Sequence, residues 1–199
     1  MLSDLNLSDR KVVTLEDPIE YQLPGISQSQ VNESKDYNFE NGLKALLRHD
    51  PDVVLVGEIR TLQTAKLASE AALTGHIVLS SLHTNSAIGA VTRLRNLGLE
   101  NFNIAPTLNA VFAQRLVRKV NQECSEEVPL PNDPKVTQAI KRLKTIFPDI
   151  FIPETIRKAK SVDEFDTAYK GRIAICEAFI LDDVSRGMIL EQKSEVEIM

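Results

Sequence analysis

The most consequential absence in this 199-residue sequence is a phosphate-binding loop. No G-x-x-x-x-G-K-[ST] segment occurs in it, and it contains only eight glycines. Such a loop supplies the backbone N–H groups and the lysine that hold the β- and γ-phosphates of a nucleotide. We therefore expect the chain as given to have negligible nucleotide-hydrolysing activity by itself.

Other absences exclude further classes of protein. Two cysteines, Cys124 and Cys176, make no disulfide framework and fit a reducing cytoplasm. No apolar run reaches the roughly 18 residues of a membrane span, and the first ten residues have no secretory-signal pattern. A net charge of −5, without a basic stretch interleaved with aromatics, disfavours nucleic acid as a partner. We expect a cytoplasmic protein that does not insert into the membrane directly.

Apolar strands and amphipathic helices alternate through the first 120 residues. Buried strands are predicted at 11–15, 53–56 and 77–82, with a loop and an edge strand at 22–32. Helices are predicted from 38 to the Asp50-Pro51 pair, at 61–74 and at 86–97. This alternation is typical of a parallel sheet with helices on its faces, so the predicted fold class is α/β.

The pattern changes after Val120. A polar, proline-bearing loop is predicted at 124–134, and a helix broken around Phe147-Pro148 at 135–160. A last strand is predicted at 171–181, and we expect the Glu-rich end to fray. The second part of the chain is therefore predicted to be small and mainly helical.

Three apolar runs end in polar side chains, within the blocks Thr14–Tyr21, Asp50–Arg60 and Thr74–Asn85. Ligands of open parallel sheets bind beyond the carboxyl ends of the strands, so these blocks predict one shared site. Nucleotide hydrolysis needs a carboxylate there to orient or deprotonate the attacking water, and a second acid to help hold Mg²⁺. Glu16 and Glu58 are the carboxylates at the ends of the first two runs.

In this order and spacing the three blocks resemble the Asp box, Walker B and His box of the secretion ATPase superfamily. The likeness covers residues 5–120 and is greatest to the type II secretion and type IV pilus assembly ATPases. It implies that 1–120 is a RecA-like P-loop NTPase core without its first strand and phosphate loop, and that 121–199 is a C-terminal subdomain. It also implies ATP and Mg²⁺ as cofactors, a homo-hexamer, and inner-membrane platform proteins as partners that hold it at the inner membrane.

The resemblance assigns roles to four acids. Glu16 is expected to be the catalytic glutamate, with Glu20 as a lesser candidate. Asp17 and Glu20 are expected to belong to the nucleotide and magnesium site. Glu58 matches the Walker B acid, which coordinates Mg²⁺ through water and polarises the nucleophile. Taken alone, Glu16-Asp17-Pro18 would be a capped strand end with two solvated acids.

The resemblance also assigns roles to the third block. His83 is expected to act in catalysis and, with Thr84, to sense a γ-phosphate through hydrogen bonds. His76 is expected near the nucleotide, although a packing role is the stronger alternative for it. Arg60 pairs either with Glu58 or with a phosphate, and the sequence leaves both alternatives open.

Two segments further along the chain refine the resemblance. Ala113–Lys119 is similar to a segment of the assembly and secretion ATPases, and the Ala-Ile-Arg signature of the retraction ATPases is absent. The family often carries a tetracysteine zinc module, of which only Cys124 is present here, with Ser161 and Glu164 at the second pair of positions. One thiolate cannot form a four-ligand site, so we expect no zinc.

Three functions follow from these observations. The first is the C-terminal part of a hexameric motor ATPase, with the missing loop explained by a truncated gene, a gene-prediction artefact or a short paralogue. The second is an inert interaction module that docks onto full-length subunits. The third is a metal-dependent hydrolase that uses Glu16, Glu58 and His83 as ligands.

In ring ATPases an arginine from one subunit completes the active site of its neighbour. The sequence does not show which of Arg93, Arg95, Arg115 and Arg118, if any, has this role.

Overall fold

The computed structural model describes residues 2–5, 10–160 and 168–198, with the side chains of Ser3, Asp4 and Ile146 excepted. The helices in chain order are α1 (Leu2–Leu5), α2 (Phe39–Leu47), α3 (Leu62–Leu73), α4 (Gly89–Asn96), α5 (Asn101–Thr107), α6 (Pro134–Ile146), α7 (Asp183–Leu190) and α8 (Glu195–Ile198), with a 3-10 helix at Glu33–Lys35. The strands are β1 (Val12–Glu16), β2 (Ser27–Gln30), β3 (Val53–Val56), β4 (Ile77–Ser80), β5 (Ala110–Val120), β6 (Ser125–Pro129), β7 (Thr155–Ala159) and β8 (Tyr169–Ile180).

The chain forms two compact units, which differ from the two sequence-based parts. The first unit comprises Met1–Ala113 and Glu177–Met199, and the second comprises Gln114–Cys176. A separate domain boundary at residue 120 stays a prediction. Among the described residues, none of the helices has the length and apolar character needed to cross a membrane.

A four-stranded parallel sheet lies at the centre of the first unit, in the order β2-β1-β3-β4. The two inner strands are buried on both faces, because Val12, Val13, Val53 and Val54 are each at most 3% exposed. Such continuous burial is typical of parallel sheets covered by helices on both faces. The predicted α/β class is confirmed, and β2 is the edge strand that the sequence indicates.

Side-chain caps fix where α2 and α3 begin. The Asn38 side chain accepts from the Asn41 N–H at 2.9 Å before α2, and Thr61 Oγ1 accepts from the Thr64 N–H at 3.2 Å before α3. Helix α3 is followed by its C-cap residue Thr74 and then by Gly75, whose φ of +102° favours glycine. The cap at Thr61 leaves residues 57–60, which follow β3, in the connecting turn outside α3.

The hydrophobic core of the first unit lies between the sheet and its helices. Leu15 of β1, Leu43 of α2, Ile104 of α5 and Ile189 of α7 are fully buried in one apolar cluster. Burying a side chain of this size contributes about 2 kcal/mol. Residues far apart in the chain thus hold the sheet in place.

The chain after residue 120 corrects two sequence-based expectations. From residue 121 onward the described chain holds three strands and three helices, so it is mixed rather than mainly helical. Strands β6 and β7 pair in antiparallel fashion, with Val128 opposite Ile156 and Glu127 opposite Arg157. Periodicity within one segment does not reveal such pairing between segments, which is why 124–134 and 147–160 are predicted as loop and helix. The helical prediction for 135–146 is confirmed by α6.

The expectation that the Glu-rich end frays is wrong for the residues described up to 198. Asp182 caps α7 by accepting from the Ser185 N–H at 2.8 Å, while Ser185 Oγ accepts from the Asp182 N–H at 2.9 Å. The backbone and side-chain hydrogen bonds of Ser185 lower the pKa of Asp182 below its usual value. Ile189 and Ile198 are buried in the core cluster, which anchors both C-terminal helices.

Two glycines in helices allow a matched test of this packing. A Cβ at Gly42 of α2 would lie 2.8 Å from Leu15 Cδ2, whereas a Cβ at Gly187 of α7 would meet nothing within 4 Å. Overpacking a full core costs about 1–3 kcal/mol and exceeds the roughly 1 kcal/mol of helix propensity that alanine gains over glycine. We expect Gly42→Ala to lower the free energy of unfolding by about 1 kcal/mol and Gly187→Ala to raise it by about 0.5 kcal/mol.

Urea unfolding followed by circular dichroism measures both changes. Equal effects of the two substitutions would contradict the described packing of Leu15 against α2.

Candidate functional site

The carboxyl ends of β1, β3 and β4 meet at one edge of the sheet. The Gly57 N–H donates to the Leu15 carbonyl at 2.8 Å, and the Ile59 N–H donates to the Ser81 carbonyl at 3.1 Å. Ser81 Oγ adds a bond to the Gly57 carbonyl at 2.7 Å. Backbone pairing therefore continues one or two residues beyond the strands and holds the three polar turns side by side.

Gly57 allows the ends of β1 and β3 to approach closely. A Cβ at this position would lie 3.2 Å from the Leu15 carbonyl oxygen and 3.4 Å from Glu16 Cα. The first of these distances is shorter than about nine in ten Cβ contacts in proteins, and its partner is backbone rather than the end of a flexible side chain. A side chain at position 57 would therefore require the ends of β1 and β3 to shift apart by a few tenths of an ångström.

Glu58 lies at the centre of a three-residue cluster. Arg60 Nε donates to Glu58 Oε2 at 2.5 Å, and His83 Nε2 lies 3.1 Å from the same oxygen. The Glu58 side chain is 13% exposed, whereas those of Arg60 and His83 are 64% and 77% exposed. Of the two pairings open for Arg60, the structure contains the one with Glu58. The recessed acid is thus covered by two groups that remain free to move into solvent.

Glu16 has a separate set of partners. Thr14 Oγ1, which is fully buried, donates to Glu16 Oε1 at 2.6 Å. Gln28 Nε2, from the edge strand β2, donates to the same oxygen at 2.9 Å. Strand geometry explains the first bond, because residues two apart project from the same face.

The two acids share one feature, which is that each has a single tethered oxygen. Glu16 Oε1 accepts two hydrogen bonds, and Glu58 Oε2 has two polar neighbours, Arg60 and His83. Among the described residues, the second oxygen of each acid, Glu16 Oε2 and Glu58 Oε1, has no hydrogen bond. An ionised carboxylate is an acceptor only, so each untethered oxygen is suited to a water molecule or the hydration shell of a cation. The edge can therefore hold two water-directed carboxylates at fixed positions.

The predicted site residues Thr84, Asp17 and Glu20 are not hydrogen-bonded to Glu16 or Glu58 among the described residues. Thr84 Oγ1 donates to the Ser86 carbonyl at 3.0 Å, so it stabilises the turn after His83. Asp17 and Glu20 are exposed in the turn that follows β1, close to Glu16 in the chain. Their proposed contacts with nucleotide or magnesium stay predictions.

His76 is not brought to this edge of the sheet. It precedes β4, and because the strands are parallel it lies at the end opposite to His83. Its Nδ1 lies 2.9 Å from the Ala71 carbonyl and 3.1 Å from Thr74 Oγ1. The imidazole is thus held by the end of α3, which agrees with the packing alternative.

Two of the four arginines outside the three blocks, Arg95 and Arg118, contact residues of this chain. Arg95 donates to Asn101 Oδ1 and to the carbonyls of Lys193 and Ile189 at 2.8–3.0 Å, so all of its nitrogens bind within the first unit. In the second unit, the Arg118 guanidinium lies 4.0 Å from the centre of the Tyr169 ring. Arg95 is therefore unsuited to complete a neighbouring site.

Two residues that contact this edge are missed by the sequence patterns. One is Gln28, whose alternation with Ser27 and Ser29 indicates only an edge strand. The other is Glu177, whose Oε2 accepts from the N–H of buried Ala87 at 3.1 Å, ninety positions away along the chain. Ala87 belongs to the turn that leads from His83 into α4, so Glu177 fastens that turn. A local sequence pattern does not predict a contact between residues so far apart in the chain.

The structure gives no support to the metal-hydrolase alternative. Among residues 2–5, 10–160 and 168–198, no three His, Cys, Asp or Glu side chains are grouped so as to hold a metal ion. Glu16, Glu58 and His83 are included in that search and do not form the required ligand set. The apolar residues before Cys176 predict a buried strand residue, and this prediction is wrong. Cys176 is exposed, because its strand β8 is exposed along most of its length. Ser161 and Glu164 lie outside the described residues.

Comparison with solved structures identifies the class of protein to which the fold belongs. The pilus retraction motor PilT, solved with bound ADP, is similar over 96% of this chain and 45% of its own chain, with a TM-score of 0.65 and 26% identity. The α/β fold with its parallel sheet is thus that of the secretion and pilus ATPases.

Sequence comparison gives the family itself. The family described as "Type II/IV secretion system protein" matches residues 1–199. Type II secretion system protein E of Pectobacterium carotovorum subsp. carotovorum is 46% identical over 197 residues, which are 99% of this chain and 38% of that protein. The type IV pilus assembly ATPase PilB of Thermus thermophilus is 43% identical over 198 residues, which are 22% of its length. The chain belongs to the type II/IV secretion system protein family and spans less than half of these relatives.

The contact made by Glu177 can be tested directly. Among the described residues, Glu177 is the one acceptor of the buried Ala87 N–H. Removing it costs about 1 kcal/mol, which corresponds to an opening equilibrium about fivefold larger. We expect Glu177→Ala to speed hydrogen exchange of the Ala87 amide about fivefold, as measured by NMR. Glu177→Gln keeps an acceptor oxygen and is expected to have a smaller effect. Unchanged exchange in Glu177→Ala would contradict the contact.

Proposed function

We propose that this chain supplies the catalytic acids of an ATP-hydrolysing motor of type II secretion or type IV pilus assembly. The observation that carries the proposal is the pair of carboxylates, Glu16 and Glu58, at adjacent strand ends, each with one tethered and one untethered oxygen. Family membership supports the reaction class, and the ADP bound to the similar motor PilT supports a nucleotide ligand.

In this proposal the two acids divide the work. The untethered oxygen of Glu16 accepts a proton from the attacking water or orients it, while Glu58 holds water molecules on the magnesium side. Mg²⁺ supplies neutralisation of phosphate charge when it is bound with the nucleotide. His83 and Arg60, both mostly exposed and both on Glu58, are placed to exchange that contact for one with a phosphate.

The phosphates themselves need residues that this sequence does not contain. No phosphate loop occurs among the 199 residues, which correspond to 38% of a type II secretion relative. We propose that hydrolysis requires a phosphate-holding segment from outside them, and that the working form is a Mg²⁺-dependent homo-hexamer. We also propose a cytoplasmic location beside the inner membrane, through platform proteins of the secretion or pilus machine.

The lack of a phosphate loop in this sequence favours a second function, that of an interaction module. A chain with the acids but without a phosphate loop would bind intact subunits and hydrolyse no ATP. Identities of 43–46% to secretion and assembly proteins support a partner from the extension and secretion branch.

Hydrolysis measurements separate the two functions. The chain alone is expected to show no Mg²⁺-dependent turnover, and a form extended upstream in its native reading frame is expected to hydrolyse ATP. In that form, Glu16→Gln and Glu58→Gln are each expected to lower kcat about 100-fold or more, because each removes a group that acts on the water or its metal. Glu70→Gln, an exposed acid on α3, is the matched control with kcat retained.

Turnover by the chain alone that Glu58→Gln abolishes would overturn the requirement for an outside segment. An inactive extended form that still binds full-length relatives would favour the interaction module.

A further inference from the structure

We propose that Gln28 is a positioning residue. It holds one oxygen of the Glu16 carboxylate, so that the other oxygen faces the attacking water. The inference rests on the proposed role of Glu16 in hydrolysis, whereas the contact itself is independent of that role. Gln28 lies on β2, on the strand beside Glu16 rather than in any of the three polar blocks.

Every polar atom of the Gln28 side chain is used within the first unit. Its Nε2 donates to Glu16 Oε1 at 2.9 Å and to the Tyr21 carbonyl at 3.0 Å. Its Oε1 accepts from the Leu23 N–H at 2.7 Å. The amide orientation is set by these partners, because a backbone N–H requires the oxygen and two acceptors require the nitrogen.

Gln28 restricts the Glu16 carboxylate because it is the second donor, after Thr14, to Glu16 Oε1. Thr14 Oγ1 and Gln28 Nε2 approach Oε1 at 2.6 and 2.9 Å, and the buried Thr14 cannot move away. A carboxylate bonded to fixed donors through one oxygen loses its rotational freedom, and the other oxygen acquires a defined direction. Such preorganisation lowers the entropic cost of reaching a reactive geometry.

Gln28 also holds the turn that carries the other two predicted acids. Tyr21 and Leu23 lie in the connection between β1 and β2, the same connection that contains Asp17 and Glu20. One side chain therefore links the catalytic carboxylate to the loop that follows it.

Gln30 provides a matched control on the same strand. In the parallel register Gln30 is opposite Glu16, whereas Gln28 is opposite Thr14. The Gln30 side chain nevertheless accepts from the Ile19 N–H at 3.4 Å and, among the described residues, makes no hydrogen bond to Glu16. The two glutamines share residue type, strand and loop contacts, and differ in the bond to the carboxylate.

The first experiment tests the contact in this chain without any activity. The side-chain NH₂ resonances of Gln28 are assigned by NMR, and Glu16→Ala is expected to shift them and to speed their exchange with solvent. Glu58→Ala, which removes an acid at the same sheet edge, is expected to leave them in place. Resonances that do not respond to Glu16→Ala overturn the proposal, whatever the chain's function.

The second experiment tests the positioning role in the ATP-hydrolysing extended form. Gln28→Met keeps the side-chain volume and removes the donor, so kcat is expected to fall about tenfold with KM for ATP unchanged. Gln30→Met is expected to retain kcat. In a Glu16→Gln background, Gln28→Met is expected to cause no additional loss, because its effect passes through that carboxylate.

The outcomes separate the two hypotheses. Equal losses in Gln28→Met and Gln30→Met, or an undiminished loss in the Glu16→Gln background, would show a general role in loop stability and overturn the inference. An extended form without activity would defeat the proposed function, and the NMR result would still decide the contact.

Discussion

The pairing of β1 with β3 is the constraint on which the rest of the first unit depends. Both strands are buried on both faces, and their parallel register places Leu15 opposite Val56. That register carries Glu16 to the end of one strand just where the chain of the other reaches Gly57. The turns, the helix caps and the two acids all take their positions from this pair. A shift of one residue would turn every side chain of β1 to the opposite face.

The polar groups at the sheet edge follow a common design. Each carboxylate is held through one oxygen by neighbours from other segments, Thr14 and Gln28 for Glu16, and Arg60 and His83 for Glu58. The holders of Glu16 are buried or half-buried and lie on strands, whereas those of Glu58 are exposed and lie in turns. The first acid is thus rigidly positioned, and the second has partners that can exchange. This difference agrees with the proposed division of roles, in which Glu16 acts on water and Glu58 changes partners when a nucleotide binds.

Much of this unit is predictable from the sequence, and the reasons are local. Continuous apolar runs such as Val53–Val56 specify buried strands, and Asn38 and Thr61 specify helix starts. The site acids follow from their place after those runs. What the sequence does not reveal depends on distant pairing, such as β6 with β7 and Glu177 with Ala87. The C-terminal helices are likewise held by burial of Ile189 and Ile198, which charge composition alone does not indicate.

The outer edge of β4 has a practical consequence. Within the part of the chain that the structure describes, β4 pairs with β3 alone, and its first residue, Ile77, is 42% exposed. An edge strand with free backbone donors and acceptors beside apolar side chains is a template for adding a further strand. We therefore expect this edge to be the site at which concentrated samples of the chain would self-associate. A lysine introduced on the exposed side of β4 is the natural remedy during purification, because charge on an edge opposes such growth.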